Sequence, residues 1–192
     1  MIFGNSTGVI FEELVFRAKK FIFLPIGLSF SVFSINYKVT MGHIRIISSK
    51  KRIALVAHDN KKKDLIEWAY YNRTVLSQHE LFATGTTGKL IEEKLGQPVK
   101  KLLSGPLGGD QQMGAMVAEE RLDMMVFFWD PMEAQPHDSD VKALLRLAVA
   151  WNILMACNRT TADFILTSVL MQEDYPVVVP DYTGYLTRKV VE

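Results

Sequence analysis

The run Met124–Trp129 (MMVFFW) is continuously apolar and of strand length, and it constrains the fold more than any other segment. A strand with one wet face alternates apolar and polar residues; a strand apolar throughout belongs inside a sheet covered on both faces, the usual situation of parallel sheets. Arg52–Ala57 (RIALVA), His79–Ala83, Val99–Leu103 and Ile153–Ala156 are further strand-length runs. Between them lie stretches with helical spacing. From about Lys61, Leu65, Ile66, Ala69 and Tyr70 share one face; Thr87–Leu95 is closed by Gly96; Gly109–Glu120 turns Met113, Met116 and Val117 inward; Val141–Trp151 and Thr161–Ser168 follow. Val177–Val179 and the segment from Asp181 close the chain. Strand and helix alternating five times predict an α/β fold with three layers: a mainly parallel five-stranded sheet with helices on both faces.

Composition limits function from the other side. Lys and Arg total 22 against 21 Asp and Glu, a formal net charge of +1, which excludes a strongly electrostatic nucleic-acid binder. Cys157 is the only cysteine, so no internal disulfide forms, and no Cys/His cluster has metal-ligand spacing. A reducing, cytoplasmic setting without structural metal is expected. Residues 1–40 differ from the rest: they hold seven of the eleven Phe, no Asp and a charge of +2, and Met41 stands where the bias ends. Phe21–Ile35, interrupted by Pro25 and Gly27, is short of the roughly 20 apolar residues a membrane span needs, and no small-x-small cleavage site follows it. Residues 1–40 are therefore expected to be an extension, disordered or arising from a start placed too far upstream, with an export or membrane signal as the other reading. Residues 41–192 form the expected folded domain.

Ligands of parallel α/β sheets bind outside the carboxyl ends of the strands, so the loops there carry the candidate site. They are His58-Asp59, then Thr84-Gly85-Thr86-Thr87-Gly88, then Ser104-Gly105-Pro106-Leu107-Gly108-Gly109-Asp110, then Asp130-Pro131 continuing to Pro136-His137-Asp138-Ser139-Asp140. Two of them are rich in Gly and hydroxyl residues and run into helix N-termini, where free N–H groups and the helix dipole favour an anion. Thr84, Thr86, Thr87 and Ser104 add hydroxyls, Gly85 and Gly105 allow close backbone approach, and Lys62 can supply a cation. An ordinary N-cap for TGTTG and a solvated face for Lys61–Lys63 are the competing readings of each piece alone. Neither loop has P-loop or dinucleotide spacing, so no nucleotide cofactor is implied. Asp59, Asp110, Asp130 and Asp140 converge on the same cleft with His58 and His137. Singly, Asp110 reads equally as a helix cap and Asp130 as a turn residue. Several carboxylates around an anion site perturb one another's protonation and mark acid–base chemistry, here proton abstraction from a small phosphorylated compound.

VAHD at Val56–Asp59, ATGTTG at Ala83–Gly88, SGPLGGDQQ at Ser104–Gln112, FFWDP at Phe127–Pro131 and PHDSDVKALLR at Pro136–Arg146 resemble the methylglyoxal synthase family, in order and at family-like spacing. The resemblance runs from about Lys51 to the C-terminus. It implies a lyase that turns dihydroxyacetone phosphate into methylglyoxal and inorganic phosphate, without metal or organic cofactor, as a homohexamer inhibited by phosphate. Asp110 then matches the catalytic base. His58, Lys62, Thr84, Gly85, Thr86, Thr87, Ser104, Gly105 and His137 match substrate-binding positions, and Asp59, Asp130 and Asp140 match supporting acids. A family arginine near the C-terminus falls on Lys189, beside Arg188. The alternative from another class is a non-catalytic regulatory module binding a phosphorylated effector, which needs the cradle but not the acids.

Overall fold

The computed structural model describes residues 42–132 and 138–187, with the side chains of residues 138–140 and of Leu186 outside that description. The expectations for residues 1–40, His137, Arg188 and Lys189, and for the side chain of Asp140, lie outside the described residues.

Five strands form the central sheet: β2 (Arg52–Ala57), β3 (Glu80–Thr84), β4 (Val99–Leu102), β5 (Met124–Phe128) and β6 (Leu154–Ala156). Their order is β4-β3-β2-β5-β6, and every pairing is parallel. The unbroken hydrophobicity of β2 and β5 follows from their central place, where each residue is covered from one side or the other. Ile53, Leu55 and Ala57 of β2 and Met124, Val126 and Phe128 of β5 face one core; Ala54, Val56, Met125 and Phe127 face the other.

The first core is covered by α1 (Lys62–Tyr71), α3 (Gly85–Leu95) and α6 (Arg159–Leu166) through Leu65, Trp68, Ile91 and Leu166. A short helix α2 (Arg73–Leu76) adds Leu76. The second is covered by α4 (Gly109–Ala118) and α5 (Asp138–Ala150) through Met113, Met116, Val117, Val141 and Leu144. Trp68 is fully buried against Phe128, and its indole N–H donates to Asp163 Oδ1 at 2.7 Å. A buried Trp N–H that finds a carboxylate adds no polar penalty to the large apolar area it removes from water.

The helices after β2 and β3 lie on one face and those after β4 and β5 on the other. The carboxyl ends of the neighbouring strands β2 and β5 therefore diverge onto opposite faces, the point where such sheets open a crevice.

Two elements differ from the sequence expectation. The closing run extends to β7 (Tyr175–Val179) and pairs antiparallel with β1 (His43–Ile47), a strand the sequence pattern did not reveal, in a separate two-stranded ribbon. In β1 the buried positions are Arg45 and Ile47 while Ile44 and Ile46 are exposed, so its hydrophobicity does not alternate in phase with burial. Arg45 is accommodated because it donates to Leu122 O at 2.8 Å and to the fully buried Asp123, which also accepts from Arg52 Nε and Nη2 at 3.0 and 2.8 Å. Burial alone would push the Arg45 guanidinium down, and the Asp123 charge opposes it. The chain then ends, among the described residues, with α7 (Thr183–Leu186).

Candidate active site

A cavity of about 160 Å³ sits at the carboxyl ends of β2, β3 and β4. Its walls include His58, Asp59, Lys62, Thr84, Thr86 and Thr87, together with Ser104, Gly105, Pro106 and Asp110. Val56, Ala57, Phe127, Val141 and Leu144 supply an apolar floor. Residues distant in sequence thus meet at the place the parallel topology requires.

The Thr84–Thr87 loop is the start of a helix rather than a turn before one. The sequence expectation opened this helix at Thr87; it opens at Gly85, so Thr86 and Thr87 lie in its first turn. Thr84 stands at the N-cap but its side chain makes no capping hydrogen bond, leaving first-turn N–H groups uncapped by it. Thr87 is 1% exposed, and its hydroxyl has no hydrogen-bond partner among the described residues. A buried hydroxyl left so costs about 1–3 kcal/mol, a cost that an anion in the cavity would remove.

The second loop packs onto the first. A Cβ at Gly85 would stand 3.2 Å from Ser104 Cβ, so the side-chain-free position lets the two loops close on each other. Ser104 leads into a short 3₁₀ turn, Gly105–Leu107, and Gly108 takes φ 97° before α4 begins, a conformation only glycine adopts without strain. Asp110 is in the first turn of α4, while the N-cap is Gly108, with no side-chain cap. Asp110 therefore does not occupy the cap position. Its carboxylate lies over Gly105, where a Cβ would come within 3.2 Å of Oδ2. The carboxylate is thereby held against the second anion loop.

At the end of β2, Asp59 Oδ1 and Lys62 Nζ are 2.5 Å apart across one helical turn. The hydrogen bond and charge of Lys62 hold the Asp59 carboxyl below the usual carboxylate range. The ammonium is thus moored at the cavity edge.

His58 is fixed from two sides. Its Nδ1 accepts the Asp130 backbone N–H at 3.3 Å, and its ring meets Phe127 edge-on at 5.2 Å. Accepting at Nδ1 places the ring proton on Nε2, which becomes a donor. Asp130 does not itself line the cavity. Its Oδ1 accepts from Met132 N at 3.1 Å, so it shapes the turn after β5 and reaches the site through its backbone bond to His58. Among the described residues, Asp59 and Asp110 are the acids in the wall; Asp140 lies in the first turn of α5.

Sequence reasoning did not anticipate the apolar floor. Phe127 was legible as a buried strand residue, but the alternation that sends Phe128 to one core and Phe127 to the site was the only signal for its role. Among the described residues no group of His, Cys, Asp or Glu could hold a metal ion.

Known proteins share this sequence and fold. Residues 64–157 match the family described as the MGS-like domain. The methylglyoxal synthase of Pectobacterium atrosepticum is 56% identical over 146 residues, covering 76% of this chain and 96% of that protein. The methylglyoxal synthase of Yersinia enterocolitica is 53% identical over a stretch of the same length, with the same coverage. The crystal structure of methylglyoxal synthase from Elizabethkingia anophelis superposes with a TM-score of 0.74 and 59% identity, covering 78% of this chain and 99% of that one. The same fold and more than half the residues in common over nearly the full length of these relatives lead to one conclusion: the chain belongs to the methylglyoxal synthase family.

Proposed function

We propose that the chain is a lyase converting dihydroxyacetone phosphate into methylglyoxal and inorganic phosphate. The observation that carries this reading is a small cavity whose wall joins Thr87, with a buried hydroxyl that has no partner among the described residues, to the Asp110 carboxylate. The same wall then offers donors for an anion and a carboxylate that can act as a base. A regulatory module would need only the first. The relatives of similar sequence are named for the enzyme, which favours the catalytic reading.

In this reading the phosphate group sits on the first turn of α3 and the Ser104-Gly105 backbone, with Thr84, Thr86 and Thr87 hydroxyls and the Lys62 ammonium as donors. Asp110 takes a proton from the hydroxymethyl carbon, and the electron pair of that C–H bond moves into an enediolate. His58, with its proton on Nε2, and His137 are the donors assigned to the substrate oxygens; a neutral imidazole can polarise a carbonyl in this way. Asp59 holds Lys62 in place, Asp130 holds His58, and Asp140 is assigned a supporting role.

Elimination then requires the carbon–oxygen bond to phosphate to stand perpendicular to the enediolate plane. In that geometry its electrons leave with phosphate as the π system extends; with the bond in the plane, phosphate is retained. The cradle's task is therefore conformational as well as electrostatic. Loss of phosphate leaves an enol that tautomerises to methylglyoxal, so no oxidant, reductant or cofactor enters the balance.

Inorganic phosphate, as product, competes for the same donors and inhibits. A homohexamer, a cytoplasmic setting and dispensability of residues 1–40 belong to the same proposal; among the described residues no helix is long and apolar enough to cross a membrane. The test is to incubate the chain with dihydroxyacetone phosphate and measure both products. Methylglyoxal and phosphate appearing in equal amounts is the expected result. Binding without either product would return the regulatory reading.

A further inference from the structure

A second and larger concavity, about 630 Å³, lies at the opposite end of the sheet, at the amino ends of β2, β3 and β4. Its wall carries Lys50, Arg52 and Lys100 against Glu80 and Asp123. The two acids are already engaged: Glu80 pairs with Lys100, and Asp123 accepts from both Arg45 and Arg52. Behind the wall, Lys51 is 1% exposed and donates its ammonium to a neutral carbonyl, Glu173 O, at 2.6 Å. Glu173 and Asp174 act on Lys51 but do not line the groove. The exposed Lys50 ammonium has no carboxylate partner among the described residues, so the wall carries a cationic surplus.

Neutral donors face the same space. His79 is 8% exposed and accepts the Lys51 N–H at Nδ1, at 3.2 Å, which puts its proton on Nε2. That nitrogen has no hydrogen-bond partner among the described residues, and burial together with Lys51 keeps the ring neutral by lowering its pKa. The Gln97 amide nitrogen is likewise buried without a partner. Arg52 keeps unused N–H groups beyond the two that meet Asp123. Ile46, Leu81 and Pro98 make the remainder of the surface apolar.

We propose that this groove is a second ligand site, taking a small organic anion whose charged head meets Lys50 and Arg52 and whose uncharged body lies against Ile46, Leu81 and Pro98. The head is a phosphate ester or a carboxylate, two anions that the same donors can hold. The site shares no residue with the cavity at the other end of the sheet, so it stands independently of the lyase reading.

The test uses hydrogen exchange read by mass spectrometry on the full chain, with phenyl phosphate and benzoate as separate probes. The expected result is ligand-induced protection of residues 48–52 and 96–101 with at least one probe, the stronger probe identifying the head group. In Lys50→Glu, a change at an exposed position, that protection should weaken about tenfold or more in ligand concentration, since a repelling charge replaces a charge-assisted bond. Unchanged exchange elsewhere in the Lys50→Glu protein without ligand confirms that it is folded. No protection at the amino ends with either probe, or protection that persists undiminished in Lys50→Glu, would overturn the proposal.

Discussion

Thr87→Val separates what the fold wants from what the site wants. Thr87 is 1% exposed and its hydroxyl has no partner among the described residues, so for the fold that oxygen is a liability. Valine keeps the branched shape and removes it. Relief of the buried polar penalty should raise stability by about 1–3 kcal/mol, or roughly 2–4 °C of Tm per kcal/mol for a chain of this size. The same hydroxyl is assigned to bind phosphate, and a hydrogen bond to a charged group is worth about 1.5–3 kcal/mol. Phosphate affinity should therefore fall by about ten- to a hundredfold. Thermal melting without ligand gives the first number, and calorimetric titration with inorganic phosphate gives the second. A variant with lower Tm and unchanged phosphate affinity would refute the reasoning, because Thr87 would then be a structural hydroxyl with a partner of its own.

Other perturbations follow from the same geometry. Lys62→Ala should weaken phosphate and substrate together, by about one to two decades each, in titration and in KM. It should also let the Asp59 carboxyl rise towards its ordinary value in an NMR pH titration; because the native value is depressed, the Asp59–Lys62 contact is complete above the ordinary carboxylate range and is lost as pH falls through the lowered value. Burial lowers the His79 pKa, so the unfolded chain takes up a proton first as pH falls; stability should drop below about pH 6.5 and level off beneath the native value, and His79→Gln should flatten that decline in urea denaturation. Asp123→Asn leaves Arg45 buried without its counter-charge and should cost about 3–5 kcal/mol in the same measurement.

The central sheet was legible because burial on both faces writes itself into sequence: β5, and β2 beyond Arg52 at its entry, have no polar residue to spare for a wet side, and each is followed by a loop that leads to a helix. The ribbon of β1 and β7 was not. Arg45 sits at a buried position of β1 and is tolerated only through Asp123, a residue 78 positions away, and no local pattern can announce such a pairing. The loops of the site were legible for another reason: a run of glycine and hydroxyl residues at one strand-to-helix junction reads as an ordinary cap, but two such runs on adjacent strand ends point to an anion cradle. What the pattern could not show was division of labour among the acids. Asp110 and Asp130 look alike as residues after a strand, yet one lies over Gly105 in the cavity wall and the other shapes a turn and holds His58 by its backbone. α3 also starts at Gly85 rather than Thr87, where Gly85 lies against Ser104 of a separate loop, a contact no local pattern shows.

Asp110→Asn tests the central claim most directly, because it keeps the side chain's shape and an acceptor oxygen while removing its basicity. Turnover of dihydroxyacetone phosphate, phosphate affinity and Tm are measured on the same preparation. If Asp110 is the base, methylglyoxal formation falls by about 10²–10⁴ while phosphate affinity and Tm stay close to those of the native chain. Full turnover in Asp110→Asn would contradict the account and move the proton abstraction to another residue.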